Sequence, residues 1–258
     1  MKTLAGQKAV VTGGSRGLGL GIVEALVAAG AQVTVVARDP ERLAEVSKRL
    51  GVDVIRGDVS DESLAQRVLN EVRPSVLVLN AGATPALGLL HELSWESFSR
   101  AWDVDVKAGF HWLQAALRLP LPRGSRVIVG SSGAAVNGSP LSGSYAGAKR
   151  TLWLMSNYAN GAAKSLDLDV RFQAILPLQI IGDTELGRQA GEAYARRKGV
   201  SPEAFFAGFG APLTPRAVGD HVVSILTDPR FNDGEAFGIK GDLGIVSLDA
   251  GGSTAPAR

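Results

Sequence analysis

The sequence predicts an α/β protein built on a doubly wound parallel sheet in three αβα layers, and three observations lead there. Short β-branched runs alternate with helical patterns from the first residues onward. The strand-like runs are apolar almost throughout, as strands covered on both faces are. No linker breaks the alternation, so one domain over residues 1–258 is expected, a length that open α/β sheets reach as a single unit.

Ala9-Val10-Val11, Val33-Thr34-Val35-Val36, Val52-Asp53-Val54-Ile55, Val76-Leu77-Val78-Leu79 and Val127-Ile128-Val129 read as strands. Helical patterns lie between and after them, at 18–29, 40–50, 62–72, 97–119 and 145–165. Right-handed crossovers then place helices on both faces of the sheet. Val170-Arg171-Phe172-Gln173-Ala174-Ile175-Leu176 reads as a further strand and Ala236-Phe237-Gly238-Ile239 as the last. Residues 183–212 interrupt the pattern with Gly187, Gly191, Gly199, Gly208 and Gly210 around a helical stretch, ending in Pro212-Leu213-Thr214-Pro215. An insertion of this kind after a strand is expected to be a mobile substrate lid. The small, polar tail Gly251–Arg258 is expected to be loose.

Hydrophobic residues make up 45% and charged residues 20%, which supplies a large core and excludes general disorder. With 27 Lys and Arg scattered against 25 Asp and Glu, the net charge of +2 gives no footprint for nucleic acid or an acidic membrane. Cysteine is absent, which excludes disulfides, thiolate ligands and a cysteine nucleophile and fits a reducing compartment. His91, His111 and His221 lie far apart, so no metal site is expected. Residues 1–7 lack the apolar core of a signal peptide and no apolar stretch spans a bilayer, so a cytoplasmic location is expected.

The first strand ends in Thr12-Gly13-Gly14-Ser15-Arg16-Gly17-Leu18-Gly19, where a helix opens. Glycine permits a tight turn and lets backbone N–H groups approach a pyrophosphate, to which the helix presents its positive end. The spacing Gly-x-x-x-Gly-x-Gly differs from the common dinucleotide fingerprint, and a tight βα turn alone also accounts for it. Arg38 follows the second strand, near the position where an acidic residue would bind the ribose 2′-hydroxyl of NAD. Asp39-Pro40 reads as an N-cap followed by the first helical residue. Arg16 and Arg38 could clamp a 2′-phosphate, which favours NADP(H) over NAD(H); two solvated arginines are the plainer alternative.

Tyr145-Ala146-Gly147-Ala148-Lys149 sets a tyrosine and a lysine on one face of a helix. Such a pair arises often by chance. Here it follows, in order, the glycine turn, Asn80-Ala81-Gly82 after the fourth strand and Ser131-Ser132 after the fifth, all at carboxyl ends of strands where open sheets bind ligands. In this combination the sequence resembles the short-chain dehydrogenase/reductase family, from residue 6 to 180 and more weakly to 242. The resemblance implies a Rossmann-type fold and catalysis by Ser132, Tyr145 and Lys149. It also implies that Asp58 and Val59 meet the adenine, that Asn80, Ala81 and Gly82 support the cofactor, and that Lys149 bonds the nicotinamide ribose. Ser132, thirteen residues before Tyr145, matches the family's serine better than Ser131 does.

Two positions depart from the family. Asp105, in Trp102-Asp103-Val104-Asp105-Val106-Lys107, stands where the family usually has a catalytic asparagine. Leu178 follows Pro177 where the family usually has glycine, which displaces the expected nicotinamide contact to Thr184. A phenol of pKa about 10 needs help to exchange protons at neutral pH, and the Lys149 ammonium favours the phenolate. The expected activity is therefore interconversion of a carbonyl and an alcohol, with a small molecule as substrate. A noncatalytic NADP(H)-binding regulator on the same fold is the rival reading; a methyltransferase would not explain Ser132, Tyr145 and Lys149 together.

Phe205, Phe206, Phe209 and Leu213 near the lid point to an apolar substrate or to simple packing. Arg188, Arg196, Arg197 and Lys198 read as a solvated face or as contacts for an acidic carrier. The helix carrying Leu152, Trp153, Leu154, Met155 and Tyr158 is apolar on more than one side, and with the family resemblance this leads to an expected homotetramer or homodimer.

Overall fold

A computed structural model describes residues 3–119 and 121–248; the tail expected to be loose lies outside the described residues. The sheet comprises β1 (Lys8–Thr12), β2 (Gln32–Ala37), β3 (Asp53–Arg56), β4 (Val76–Leu79), β5 (Ser125–Gly130), β6 (Val170–Pro177), β7 (Ala236–Lys240) and β8 (Gly244–Ser247). Its order is β3-β2-β1-β4-β5-β6-β7-β8, parallel except for β8, which pairs antiparallel with β7. The order reverses between β1 and β4, and such a switch point opens a crevice at the strands' carboxyl ends.

Alternate residues of each strand serve different layers. In β4, Val76 and Val78 join Ile22 and Leu26 of α1 (Gly17–Ala28), Leu43 of α2 (Pro40–Leu50) and Val222 of the helix Pro215–Thr227 on one face. On the other face Leu77 and Leu79 meet Val68 of α3 (Glu62–Val72) and, farther along the chain, Trp112 and Leu152. Both faces of β4 are thus buried, which is why it is apolar throughout, whereas the edge strand β3 is mostly exposed and carries Asp53 and Arg56.

The expected helix at 97–119 is interrupted. It divides into α4 (Trp95–Ala101), a π-helical segment Trp102–Val106 and α5 (Lys107–Arg118). The short α6 (Ala134–Asn137) and the long α7 (Gly143–Ser165) follow. The insertion forms α8 (Glu185–Lys198) and α9 (Pro202–Ala207). Thr214 and Pro215, read as the insertion's end, start α10 (Pro215–Thr227), with the Thr214 hydroxyl accepting from the Ala217 amide. The strand read as the last is followed by β8, joined through the three-residue turn Gly241-Asp242-Leu243 and Gly244 at φ +68°. The Asp39 cap forms as expected, its carboxylate accepting from the amides of Glu41 and Arg42.

Candidate active site

Strand register brings the motifs together. Thr12 pairs with Leu79, and Leu79 with Val129, so Gly13, Asn80 and Gly130 emerge side by side. The Thr12 hydroxyl donates to Val78 O and accepts from the amides of Asn80 (3.0 Å) and Ala81 (3.2 Å), which fixes the two strand ends to each other. Gly13 has φ +68°, and a Cβ there would lie 2.8 Å from Ala81 Cα. Only glycine suits that position. At the start of α1, Arg16 supplies no side-chain cap and the first turn holds no acidic residue. Its amides therefore face the cleft without a side-chain partner.

Two adjoining cavities of about 330 and 340 Å³ run along these strand ends, sharing Arg16, Arg42, Ala81 and Gly82. The outer one is lined by Gly13, Ser15, Arg38, Asp58 and Val59. The inner one is lined by Gly17, Leu18, Gly19, Asn80, Asp105, Tyr145, Lys149 and Thr184. All the residues expected to hold a cofactor thus border one continuous cleft. Arg42, which the sequence reading missed, borders both cavities, as Arg16 does, while Arg38 borders the outer one. Asp58 accepts from the Ser60 amide and hydroxyl, and the amide bond chiefly holds its carboxyl below the usual range, against burial and with a contribution from Arg38. Trp112 donates to Val59 O at 3.0 Å and anchors that loop.

Thr184 caps α8, accepting from the Gly187 amide and donating to Ile181 O, both at 2.9 Å. Its methyl carbon faces Gly17 across the cleft. Arg16 also reaches Glu185 at 2.6 Å, joining the glycine turn to the insertion. Leu178 continues the pairing of β6 with β7, its amide donating to Ile239 O.

Deeper in, α7 presents Tyr145 and Lys149 one turn apart. Of the two serines after β5, Ser131 is buried and donates to Lys149 O at 2.8 Å, bracing the helix. Ser132 is half-buried and accepts from the Ala134 amide, which leaves its own proton for a ligand. Lys149 Nζ lies 3.0 Å from Asp105 Oδ2 and 3.4 Å from Gly130 O, and 5.5 Å from the Tyr145 ring centroid. Asp105 Oδ1 accepts from the Ala83 amide at 2.7 Å. Gly82 is required beside it, since a Cβ there would sit 2.7 Å from Oδ2. Both members of the pair are buried. Burial, the strongest single influence, pulls the Lys149 ammonium down, but the Asp105 charge, the Tyr145 oxygen and the hydrogen bond to Asp105 together hold the lysine above its usual value.

A third cavity, of about 430 Å³, opens on the other side of Tyr145. Ser132 and Tyr145 border it together with the loop 177–181, α8 and Phe205 and Phe209. Phe205 stacks on Tyr194 and meets Phe206 and Phe209 edge-on, so the insertion carries an aromatic cluster of its own. Phe205 and Phe209 both pack and line the cavity, while Leu213 belongs to the core beneath the insertion.

Glycine turn, switch-point cleft and parallel sheet define a Rossmann-type α/β protein. Residues 7–194 match the short chain dehydrogenase family, and the chain belongs to that family of oxidoreductases. It is 33% identical over 122 residues to the L-xylulose reductase of Homo sapiens, which covers 47% of this chain and 50% of that one. It is 30% identical over 188 residues to the uncharacterized oxidoreductase YghA of Escherichia coli, covering 67% and 62%. These alignments therefore span about half to three-fifths of either relative. A 3beta-hydroxysteroid dehydrogenase 2 of Eggerthella lenta is 27% identical over 256 residues, 92% of this chain and 95% of that one. Among solved structures, L-sorbose reductase of Gluconobacter frateurii, complexed with NADPH and L-sorbose, superimposes with a TM-score of 0.76. That alignment covers 93% of this chain and 98% of the other at 22% identity, a likeness of fold. No helix among the described residues is long and apolar enough to cross a membrane.

Proposed function

We propose that the protein is an NADP(H)-dependent oxidoreductase that interconverts a small-molecule carbonyl and alcohol, with residues 183–212 as a lid on one catalytic domain and the cytoplasm as its location. The observation that carries this reading is the position of Tyr145, which borders both the long cleft and the 430 Å³ cavity. A group there touches whatever lies in either. The cleft fits a dinucleotide: its backbone is bare at Gly13, helix amides face it, and guanidinium groups line its outer end. When bound, the nicotinamide supplies or accepts the hydride.

In reduction Tyr145 donates its proton to the carbonyl oxygen, and in oxidation it takes the proton of the alcohol. Ser132 donates a hydrogen bond to the same oxygen and stabilises the charge that builds on it. The Lys149 ammonium favours the phenolate that each cycle must form and binds the ribose side of the cofactor. Asp105 fixes the ammonium through its 3.0 Å contact. Carbonyl-dependent consumption of NADPH by the purified protein tests the proposal. The contact between Asp105 and Lys149 also gives the rival reading its basis, because a carboxylate beside the ammonium reduces its pull on a phenolate. NADPH binding without any carbonyl-dependent turnover would favour a regulator.

Preference for NADP(H) is assigned to Arg38 with Arg16 and Arg42, planar donors able to grip a 2′-phosphate. Arg38→Asp removes one donor and adds repulsion, so the NADPH/NADH ratio of kcat/KM is expected to fall by about tenfold or more, as a lost charged contact of ~1.4 kcal/mol would give. Equal cofactor affinities in the unaltered protein would refute the assignment.

The reading includes a homo-oligomer. Trp102 of the π-helical segment, Phe110 of α5 and Leu154 and Tyr158 of α7 remain exposed, and Tyr158 is 66% accessible. The buried His111 Nδ1 and Asn157 Oδ1 on α5 and α7 lack hydrogen-bond partners among the described residues. A second copy would cover this face. Light scattering at micromolar concentration is expected to give a dimer or tetramer, and monomer alone would exclude it.

A further inference from the structure

The cavity beyond Tyr145 is walled by apolar side chains, among them Leu87, Leu178, Ile180, Leu186 and Phe209. Most polar groups on its lining are committed elsewhere. Gln179 donates to Ala211 O and accepts from the Gly241 amide. The hydroxyls of Ser139, Ser142 and Tyr194 bond to one another at 2.6 Å. Thr184 serves the α8 cap. A polyhydroxylated ligand would bury hydroxyls against apolar walls without acceptors, which is unfavourable for each one.

Against this background one charged residue lines the cavity: Lys198, the last residue of α8. Its ammonium lies 5.3 Å from the Phe205 ring centroid and has no carboxylate within ion-pair distance among the described residues. The contact with the ring and the helix carboxyl end both hold the cation in place. The cavity thus offers a proton donor at Tyr145, apolar walls and a cation. Its volume of about 430 Å³ lies in the range that encloses a ligand of drug-like size.

Resting on the reading of the site as a carbonyl-reducing centre, we infer that the substrate is an apolar carbonyl compound carrying one anionic group remote from the carbonyl, with Lys198 as the specificity residue that binds the anion. The reaction would use the anion only for binding. Lys198 therefore acts on substrate choice and not on the proton transfer.

A series of ω-(4-oxocyclohexyl)alkanoate anions of increasing chain length, with the corresponding uncharged carboxamides, tests this with NADPH as reductant. At the best chain length the carboxylate is expected to exceed its amide about fivefold in kcat/KM, the scale of one partly exposed ion pair. Added salt should erode that ratio. Lys198→Met should bring the ratio to about one, mainly through KM, and Lys198→Arg should keep it. A purely structural role on Phe205 would move both congeners together and leave the ratio intact. Absence of any preference for the carboxylate, or a preference that persists in Lys198→Met, overturns the inference while leaving the carbonyl-reducing reading in place. Turnover of neither series by a protein that binds NADPH overturns that reading and the inference with it.

Discussion

Replacing Tyr145 by phenylalanine is expected to lower kcat by about 10²–10⁴-fold, the usual contribution of a positioned acid-base group, while NADPH still binds. Phenylalanine keeps the ring that borders both cleft and cavity and removes only the hydroxyl. That hydroxyl has no hydrogen-bond partner among the described residues, so its loss leaves no buried group unsatisfied. The fold should therefore persist, and any fall in turnover reports chemistry. Steady-state NADPH consumption with one carbonyl substrate, beside a fluorescence titration of NADPH, separates the two quantities. Undiminished turnover in the variant removes Tyr145 from the mechanism. Loss of NADPH binding would instead mean that the phenol holds the cofactor.

The sheet was legible because both faces of its strands are buried, so β1, β4 and β5 read as plain apolar runs. The candidate site residues were legible as a joint pattern: strand register, invisible in any one motif, brings the separate segments to one row of strand ends. What was missed has physical reasons. The π-helical segment at Trp102–Val106 has no compositional mark, because the bond pattern rather than residue type defines it. It nonetheless turns Asp105 inward to meet Lys149. Strand β8 is four residues long and lies at the sheet edge, too short for its period to stand out. Arg42 looks like a solvated helix charge paired with Asp39; its spacing of four from Arg38 across the Asp39 cap was the available signal. Lys198 reads as part of a solvated basic face, and only the folding back of α9 puts Phe205 beneath it.

The Asp105→Asn variant is expected to shift the pH dependence of alcohol oxidation toward lower pH. Oxidation needs a proton acceptor at Tyr145, and the Lys149 ammonium favours that state. An ionised carboxylate 3.0 Å from the ammonium cancels part of its field and itself opposes a negative phenolate. Asparagine removes the charge at nearly constant shape, so the rising limb should move to lower pH. The structure adds a second sign. Lys149 is raised above its ordinary 10.5 because Asp105, by charge and hydrogen bond, and Tyr145 together overcome burial. Without the carboxylate burial prevails, and the ammonium is lost at lower pH, which moves the alkaline limit in the same direction.

Stability follows the same linkage. A lysine raised in the folded state stabilises fully below its unfolded value and loses that contribution as pH rises through the folded one. The unaltered protein should therefore lose stability above about pH 10.5, the unfolded lysine value, and Asp105→Asn should not show that decline. At neutral pH the variant should be less stable by about 1–3 kcal/mol, because one amide oxygen replaces the two carboxylate oxygens that serve Ala83 N–H and Lys149. Paired pH–rate series with one alcohol and saturating NADP⁺, with denaturant unfolding at several pH values, measure both effects. NADP⁺ affinity should stay nearly constant. Coincident rate profiles would remove Asp105 from the proton path, and unchanged unfolding curves would show that the ion pair adds nothing to the fold.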